Sequence, residues 1–567
     1  MTQIIKAKHQ TLPTWEALLG SYEQQVKERL TQLAKKDTTN RIWSLDHTVW
    51  KPEPTEITNR LGWLDVGVRM VESLPEIGAV VQSVVGEGIT QVVLLGMGGS
   101  SLAPELFGNV FGPLEGYPTL TVLDSTHPDS VLAMTQEIDL SKTLFVVSTK
   151  SGGTVETLSF FKHFYNKCKE TFGEEEAGKH FIAITDPGSK LEALATKLTF
   201  RALFLNDPNI GGRFSVLSYF GIVPAALAGV DVHQLLNRAI QASLVHGETS
   251  NLGYWLGAVM GELAESGRDK LTLYTSQTLQ SFGDWVEQLL AESTGKEGKG
   301  ILPVVREPFR KVAEYSHDRF FVTLELQSDE KIDLFMKELV EAGHPVIRIK
   351  LADLYDLGGQ FFAWEMATAV ASHVMTINPF DQPNVESAKV QARAMVAQYQ
   401  ETGVLPAEEA TLKIGDVSVF GAPSGGTVGE VLDQFLKNPP EGGYVVFQVY
   451  AHTTEDLEEA LAGLRASVLS KTGLATSHGY GPRFLHSTGQ LHKGDGGKGL
   501  FVQITTDPSF DLPIPDEPGK DHSGLSFGTL VQSQAMGDKK ALEGEGRKVL
   551  RFHTSTDKVL SLVKELT

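Results

Sequence analysis

A glutamine and a glutamate stand four residues apart in the sequence QLLAESTGK, at Gln288 and Glu292. Four residues are about one turn of an α-helix, so both side chains would point to the same face. The amide of Gln288 could therefore orient either the carboxylate of Glu292 or a bound substrate. Glu287, one residue earlier, would lie on a different face and provides an internal comparison.

Two loops rich in glycine and hydroxyl side chains each follow an apolar run and precede a helical pattern. The first is GMGGSS at residues 96–101, and the second is STKSGGTVET at residues 148–157. Glycine lets the backbone approach a ligand closely, and a helix N-terminus presents free N–H groups to an anion. The hydroxyls, lysine and paired glycines of the second loop suit a compact phosphate monoester. A tight structural turn is the alternative interpretation of either loop taken alone.

A dinucleotide-binding domain is a second interpretation of the first loop. Gly96, Gly98 and Ser101 nearly reproduce the G-x-G-x-x-G fingerprint, and Asp124 ends the next apolar run. The third glycine of that fingerprint is missing, however. The second loop also suits a phosphate monoester better than a pyrophosphate, so we favour a phosphosugar pocket.

Arg213 follows two glycines in the sequence NIGGRFS. An arginine on a glycine turn can place a permanent positive charge where an enediolate develops, because a guanidinium group stays protonated at any working pH. Capping of a helix C-terminus is its alternative role.

These residues require a scaffold of buried strands that alternate with helices. Apolar runs such as TQVVLLGMGGSS, KTLFVVSTKSGG and KHFIAITDPGS stop at glycine or small polar residues and resume as helices, which predicts a right-handed doubly wound parallel sheet. A second series contains DKLTLYTSQ, DRFFVTLEL and HPVIRIKLAD, and a third contains GGYVVFQVYAH, GLFVQITTD and VLRFHTS.

The predicted fold class is therefore α/β, with two doubly wound parallel-sheet domains between a helical N-terminal arm and a C-terminal α/β extension. The helical spacing of the arm begins in WEALLGSYEQQVKERLTQLAKK, and GDKKALEGEGRK near the C-terminus is predicted to be an exposed loop or short helix. The expected boundaries are 1–74 for the arm, 75–245 and 246–395 for the two domains, and 396–567 for the extension.

Length and composition limit the functions that are open to the chain. Its 567 residues are too many for one ordinary core, and its net charge of −20 argues against binding to nucleic acid or an anionic membrane surface. A single cysteine, Cys168, excludes an intrachain disulfide and favours a buried inert thiol. The N-terminal residues lack a signal-peptide pattern and no apolar run is long enough to span a membrane, so we expect a cytoplasmic protein.

Taken together, the motifs resemble those of the phosphoglucose isomerase family, whose members contain two sugar isomerase domains. GMGGS and STKSGGTVET are similar to the family's phosphate loops, NIGGRFS to its GGR segment, and QLLAESTGK to its signature of Gln and Glu followed by Gly and Lys. INPFDQPNVESAK, residues 377–389, is similar to the INxFDQxxVExxK block. Two glycines at 152–153 and Pro383-Asn384 depart from the family pattern but leave Lys389 in register.

The resemblance implies an aldose–ketose isomerase that interconverts glucose 6-phosphate and fructose 6-phosphate through an enediol, with no metal or organic cofactor. Glu292 would move the proton, Arg213 would stabilise the enediolate, and Lys389 would assist ring opening. The implied partners are a sugar phosphate and a second copy of the chain in a homodimer. The implied substrate-binding residues are Gly98, Gly99, Ser100, Thr149, Lys150, Ser151, Thr154 and Gln288.

The family's ring-opening histidine is not in its usual place between the glutamate motif and the FDQ block. That interval contains only His317, His344 and His373, and none lies in a GQHxxxQ-type sequence. The segment LHSTGQLHKG in the C-terminal extension resembles the missing piece, which makes His486 the first candidate and His492 the second. Two histidines six residues apart could also indicate a metal site, but no carboxylate or cysteine ligand pattern accompanies them, so we predict no metal.

Two other functions stay open at this point. A non-catalytic sugar-phosphate sensor needs only the phosphate loops, so the joint presence of Glu292, Arg213 and Lys389 argues against it. An isomerase of mannose 6-phosphate, or of both sugars, would differ only in the shape of the pocket, which the sequence does not show.

Overall fold

The N-terminal part of the protein contributes one strand and three helices. The computed structural model describes residues 14–245, 250–406, 408–421 and 425–567. Its first elements are β1 Thr14–Leu18, α1 Glu23–Lys35, α2 Thr38–Trp43 and α3 Val66–Gly86. Residues 1–13 of the predicted arm lie outside the described residues.

The strand β1 corrects the prediction that helix begins at WEALL. Trp15 and Ala17 are the more buried residues of an alternating pattern, and the ring of Trp15 contacts that of Trp255 with centroids 4.2 Å apart. Alternation with a period of two fits a strand, and pairing with a later strand completes its backbone hydrogen bonds. The helical spacing that follows is confirmed, because Val26, Leu30 and Leu33 form the buried stripe of α1.

A five-stranded parallel sheet forms the first α/β unit. Its strand order is β3-β2-β4-β5-β6, and all four pairs are parallel. The order reverses between β2 and β4, which is where open α/β sheets bind ligands at their carboxyl ends. The elements in chain order are β2 Gln91–Gly96, α4 Leu102–Phe111, β3 Thr119–Leu123, α5 Pro128–Glu137, β4 Thr143–Ser148, α6 Val155–Phe172, α7 Glu174–Ala177, β5 Phe181–Thr185, α8 Lys190–Lys197, β6 Ala202–Leu205, α9 Tyr219–Leu227 and α10 Val232–Ser243.

A second five-stranded sheet follows, with the order β1-β10-β9-β7-β8. Its pairs are parallel except that β1 joins β10 antiparallel. The strand β8 was not predicted, because LPVV is short and contains a proline. The elements are α11 Leu252–Glu265, β7 Lys270–Thr275, α12 Gln280–Thr294, β8 Leu302–Val305, β9 Arg319–Glu325, α13 Glu330–Glu341, β10 Val346–Lys350, α14 Leu357–Val374 and α15 Glu386–Thr402.

The C-terminal part contains a six-stranded mixed sheet in the order β11-β12-β18-β15-β13-β14. Its parallel strands β13, β14, β15 and β18 include the three predicted runs, and β11 and β12 join antiparallel at one edge. The elements are β11 Leu412–Ile414, β12 Val417–Phe420, α16 Val428–Leu436, β13 Tyr444–Tyr450, α17 Glu455–Thr472, β14 Ala475–Tyr480, α18 Gly489–Gly494, β15 Gly499–Asp507, β16 Pro513–Ile514, β17 Leu525–Ser526, α19 Phe527–Gly544, β18 Lys548–Ser555 and α20 Val559–Leu566.

The segment GDKKALEGEGRK is mostly the last turns of α19, which corrects the prediction of an exposed loop or short helix. Asp538 and Lys539 are buried there, and Asp538 forms an ion pair with Lys493 at 2.6 Å. The charged residues suggested solvent exposure, but they face partners that are far away in the sequence.

The first two sheets share one continuous hydrophobic core, which includes Leu94 of β2, Leu273 of β7 and Trp364 of α14. The third sheet has its own core around Val502 and Leu550. No helix in the described part of the chain is long and apolar enough to cross a membrane.

Candidate active site

A cavity of about 600 Å³ lies at the carboxyl ends of β2 and β4, where the order of the first sheet reverses. Side chains of α12, α15 and the C-terminal part complete its wall. The structure brings twelve of the residues singled out from the sequence into this one lining, although not the second histidine candidate, His492: Gly98, Gly99, Ser100, Thr149, Lys150, Ser151, Thr154, Arg213, Gln288, Glu292, Lys389 and His486.

The loop after β2 contacts two other site segments directly, which explains its glycines. Gly98 has a φ of +54°, and a Cβ there would stand 2.5 Å from the carbonyl oxygen of His486. A Cβ on Gly99 would stand 2.1 Å from the carbonyl oxygen of Gly212. Side chains at these positions would separate segments that the cavity needs in contact.

The loop after β4 is held by its own hydroxyls and by a lysine. The Oγ1 atoms of Thr149 and Thr154 are 2.8 Å apart, and Thr154 is the residue before α6. Lys150 forms an ion pair with Asp186 and donates to the carbonyl oxygen of Pro208 at 3.0 Å. The loop hydroxyls therefore line the cavity next to the N-terminus of α6, and helix N-termini favour anions.

The amide nitrogen of Gln288 links the two halves of the site. It donates to Oε2 of Glu292 at 3.1 Å and to the carbonyl oxygen of His486 at 2.8 Å. The sequence left open whether this amide orients the carboxylate or a substrate, and in this structure it contacts the carboxylate. Gln288 and Glu292 share one face of α12, whereas Glu287 lines a different cavity.

Arg213 is almost fully buried and joins three segments of the chain. Its Nε donates to Ser293 Oγ at 2.7 Å, and its Nη1 donates to Gln382 Oε1 at 2.8 Å and lies 3.2 Å from Glu292 Oε1. The guanidinium group is thus rigidly placed as a permanent positive charge beside the Glu292 carboxylate.

Lys296 forms a second link between α12 and the FDQ block. It is buried and lies 2.7 Å from Oδ1 of Asp381. Burial, with the nearby charge of Arg213, lowers the pKa of Lys296 to about 8 despite this ion pair. The lysine of the glutamate signature is therefore a buried packing residue and does not line the cavity.

His486 lies in the short 3₁₀ helix Arg483–His486 and has a buried carboxylate as its partner. Its Nε2 is 2.9 Å from Oε1 of Glu156, which also accepts from Gln534 Nε2 at 2.6 Å. Burial alone would raise the pKa of Glu156, but the opposing effect of His486 holds that pKa below its usual value. Sequence reasoning missed Glu156 although it lies within STKSGGTVET, because its partner is 330 residues away.

The remaining histidine candidates lie away from the cavity. His492 is buried, its ring nitrogens have no hydrogen-bond partner within the described part of the chain, and burial lowers its pKa well below the usual value. His317, His344 and His373 are also absent from the lining. Burial raises the pKa of Cys168 to about 12, as expected for an inert thiol.

The cavity also contains residues that the motifs did not indicate, notably Arg60 of the N-terminal part and Asp186. Four cationic side chains and two carboxylates line it, which leaves a formal charge of +2 with histidine neutral. These are Arg60, Lys150, Arg213 and Lys389 against Asp186 and Glu292. A locally positive cavity in a chain of net charge −20 favours a small anion.

Comparisons with known proteins show which chains this one is similar to. Residues 66–300 match the family model described as phosphoglucose isomerase. The chain is 29% identical over 379 residues to a probable glucose-6-phosphate isomerase of Methanococcus maripaludis, an alignment that covers 59% of this chain and 84% of that protein. It is 27% identical over 394 residues to a glucose-6-phosphate isomerase of Staphylococcus aureus, covering 60% and 87%.

Two solved structures share the fold. A hypothetical protein from Thermus thermophilus superposes with a TM-score of 0.58 at 24% identity, covering 68% of this chain and 100% of that one. A glucose-6-phosphate isomerase from Chlamydia trachomatis superposes with a TM-score of 0.57 at 17% identity, covering 69% and 89%. The α/β fold class predicted from the sequence is confirmed.

The fold, the cavity and these comparisons define an aldose–ketose isomerase. The resemblance to the phosphoglucose isomerase family is supported over residues 66–300, which match the model of that family.

Proposed function

We propose that this chain is a glucose-6-phosphate isomerase, which interconverts glucose 6-phosphate and fructose 6-phosphate in glycolysis and gluconeogenesis. The observation that carries the proposal is one cavity, within a single chain, lined by Glu292, Arg213, His486, Lys389 and both phosphate-type loops. The names of the two curated relatives support the same substrate pair.

The phosphate group would bind at the loops that follow β2 and β4. Ser100, Thr149, Ser151 and Thr154 offer hydroxyl donors there, and Lys150 adds a positive charge near them. Holding the phosphate at this end fixes the sugar carbons at the other end of the cavity, so binding energy orients the reacting atoms.

Ring opening would use His486 and Lys389. With Nε2 protonated and donating to Glu156, the imidazole keeps Nδ1 as the nitrogen that exchanges a proton with the sugar. Lys389 lines the same cavity and can donate a proton to the ring oxygen. The buried Glu156 carboxylate would stabilise the imidazolium that forms.

Proton transfer between C1 and C2 would follow on the open-chain sugar, with Glu292 as the base. Gln288 and Arg213 hold its carboxylate in place before the substrate binds. As the proton leaves carbon, negative charge develops on the substrate oxygens, and the fixed guanidinium group of Arg213 lies beside that reaction.

The decisive experiment is the isomerase activity of Glu292→Gln beside Glu287→Gln. Loss of the general base should lower kcat by about 10² to 10⁴ while KM changes little. Glu287→Gln removes a carboxylate from the position before Gln288 on α12, where the side chain lines another cavity, and should keep normal kinetics. Near-normal turnover of Glu292→Gln would contradict the proposal.

Mannose 6-phosphate is the substrate to test as an alternative, alone or together with glucose 6-phosphate. Both aldoses are formed from fructose 6-phosphate through the same enediol, so the charges of the cavity suit either. Separate coupled assays for the two products, started from fructose 6-phosphate, distinguish them. A sugar-phosphate sensor would bind the substrate and turn over neither.

We also propose a cytoplasmic homodimer, as the family resemblance implies. All four proposed catalytic residues already lie in one cavity of one chain. Light scattering on the purified protein measures the assembly.

A further inference from the structure

A second cavity, of about 570 Å³, lies behind the proposed active site. The carboxyl ends of three edge strands meet there, namely β3 of the first sheet, β8 of the second and β14 of the third. Ligand sites of α/β proteins form at carboxyl strand ends, and this cavity is close in size to the proposed active site.

The two cavities share a wall. Leu485 and His486 line the proposed active site, whereas Arg483 and Phe484 line the second cavity. Helix α12 also lies between the two cavities, because Gln288 lines the proposed active site and Glu287 lines the second cavity. A ligand in the second cavity would therefore contact the segment that carries the proposed ring-opening histidine.

The charges of the second cavity are opposite to those of the first. Six carboxylates and two guanidinium groups line it, a formal charge of −4 with histidine neutral. The carboxylates are Glu105, Asp124, Glu137, Asp284, Glu287 and Glu458, and the guanidinium groups are those of Arg306 and Arg483. This lining repels a phosphate and attracts a cation.

Both guanidinium groups are already paired. Arg306 Nε lies 3.0 Å from Oδ1 of Asp284. Arg483 pairs with Glu105 through two contacts, one of them 2.9 Å, and lies 3.3 Å from Oδ2 of Asp124. Glu458 likewise faces His478 at 3.3 Å, so Glu137 and Glu287 are the lining carboxylates that have no ion-pair partner among the described residues.

Glu287 is the clearest unsatisfied group. Its carboxylate has no hydrogen bond or ion pair among the described residues. Asp284, one turn away on α12, is also a carboxylate and cannot act as its partner. Burial, with the charge of Asp284, raises the pKa of Glu287 to about 8. An ammonium group beside it would favour the ionised form and supply the missing partner.

The rest of the lining suits an alkyl chain. Met134, Val122 and Val305 give apolar surface, and the rings of Tyr480 and Phe484 offer faces that attract cations. A chain of methylene groups with ammonium groups at its ends matches both the apolar surface and the separated carboxylates.

We propose that this second cavity binds a small aliphatic diamine or polyamine, and that its occupancy alters the placement of His486. The coupling would pass through Arg483, which shares one short helix with His486 and is anchored to Glu105 and Asp124. An ammonium group that competes for these carboxylates loosens the anchor. The effect on His486 rests on the proposed function, whereas the binding does not.

Binding is tested by calorimetric titration of the full chain with 1,4-diaminobutane and with spermidine, in a buffer free of other amines. We expect saturable one-site binding that Glu287→Gln weakens about tenfold, which corresponds to about 1.4 kcal/mol. Ala133→Leu, which fills the cavity without changing its charge, should also weaken it. Glu76→Gln, an exposed change on α3, is the matched control and should bind as the parent does.

Absence of saturable binding up to about 10 mM diamine, a range that covers weak affinities, would overturn the proposal. So would binding that Glu287→Gln and Ala133→Leu both leave unchanged, because the amine would then be bound elsewhere.

The coupling is tested by kcat for cyclic glucose 6-phosphate and for a sugar phosphate analogue that cannot close its ring. Diamine should change kcat for the cyclic substrate by about twofold or more and leave the ring-free analogue unaffected, since His486 acts only in ring opening. Equal effects on both substrates, or none on either, would overturn the coupling. If the chain proved not to be an isomerase, calorimetry would still test the site.

Discussion

The amide nitrogen of Gln288 reaches both Glu292 and the backbone of His486, so the two proposed catalytic groups are fixed relative to each other before substrate binds. Helical spacing gave the first contact as one of two alternatives, because both residues lie on α12. The sequence could not predict the contact with the backbone of His486, because a local sequence pattern does not show which distant loop will pack against a helix face. Sequence reasoning missed the role of Glu156 for the same reason, because its partner His486 belongs to the C-terminal part of the chain.

The Glu156–His486 pair gives a prediction about ring opening. Glu156→Gln keeps the size of the side chain but removes the charge that would stabilise an imidazolium, so kcat for cyclic glucose 6-phosphate should fall by about 10-fold or more. His486→Gln should lower it further. Both variants should leave turnover of a ring-free analogue largely intact.

His492→Gln is the control for this pair, because His492 is buried away from the cavity. Equal losses on cyclic and ring-free substrates would assign His486 and Glu156 to the fold or to proton transfer instead of ring opening.

The hydroxyls of the loop after β4 give a second prediction at this scale. Thr149→Val removes one hydroxyl at constant shape and should weaken binding of 6-phosphorylated sugars by about 0.5–3 kcal/mol. The measurement is KM, with inhibition constants, for phosphorylated and unphosphorylated sugars. Thr135→Val, on α5, changes a threonine outside this cavity and should leave those constants unchanged. A loss of equal size for both classes of sugar would mean that Thr149 supports the loop and not the phosphate.

At the scale of elements, the sequence was most informative where strands are buried and parallel. The runs in β2, β4 and β5 carry continuous apolar side chains, so strand identity and the position of the following loops could be predicted. Carboxyl ends of neighbouring parallel strands lie at one edge, which brought the two loops together.

Edge strands and partnered charges were not predictable in the same way. The strand β1 pairs with β10, which is more than 300 residues later, and its WEALL sequence has helix-compatible spacing. The charges near the end of α19 looked exposed, yet Asp538 is fully buried against Lys493. In both cases the deciding contact is remote in sequence.

That buried ion pair predicts a large stability effect. Asp538→Ala leaves the ammonium group of Lys493 buried without its partner and should lower the free energy of unfolding by about 3–5 kcal/mol. Urea unfolding followed by fluorescence measures the change. Glu545→Ala, at the exposed end of the same helix, should cost less than about 0.5 kcal/mol. A small loss in Asp538→Ala would show that Lys493 finds another partner or reaches water.

Considered as a whole, the molecule separates its charges. The chain carries −20, the proposed active site +2 and the second cavity −4, so the two cavities attract ligands of opposite sign from either side of one wall. The C-terminal part supplies that wall, including His486 and Arg483, and thus completes the site begun by the first two sheets. Sequence patterns identified the motifs of the proposed active site, including the segment of His486, but not the second cavity.

Three buried histidines make the stability of the whole molecule depend on pH. Burial lowers the pKa of His127, His163 and His344 to about 4 each, and a neighbouring charge adds to this effect for His163 and His344. The usual pKa of histidine in an unfolded chain is about 6.5. Between that pH and about pH 4, these histidines are therefore protonated in the unfolded chain but mostly neutral in the folded protein. The stability that these groups contribute is complete above about pH 6.5 and is lost as the pH falls toward 4.

At pH 5 the loss should be about 1–2 kcal/mol for each histidine, before most carboxylates begin to titrate. Urea unfolding midpoints at pH 7 and pH 5 measure it, and His163→Gln should reduce the difference between the two midpoints because one titrating group is gone. His233→Gln, which changes an exposed histidine of α10, is the matched control. A midpoint that stays constant from pH 7 to pH 5 in the parent protein would mean that protons reach these three side chains without unfolding.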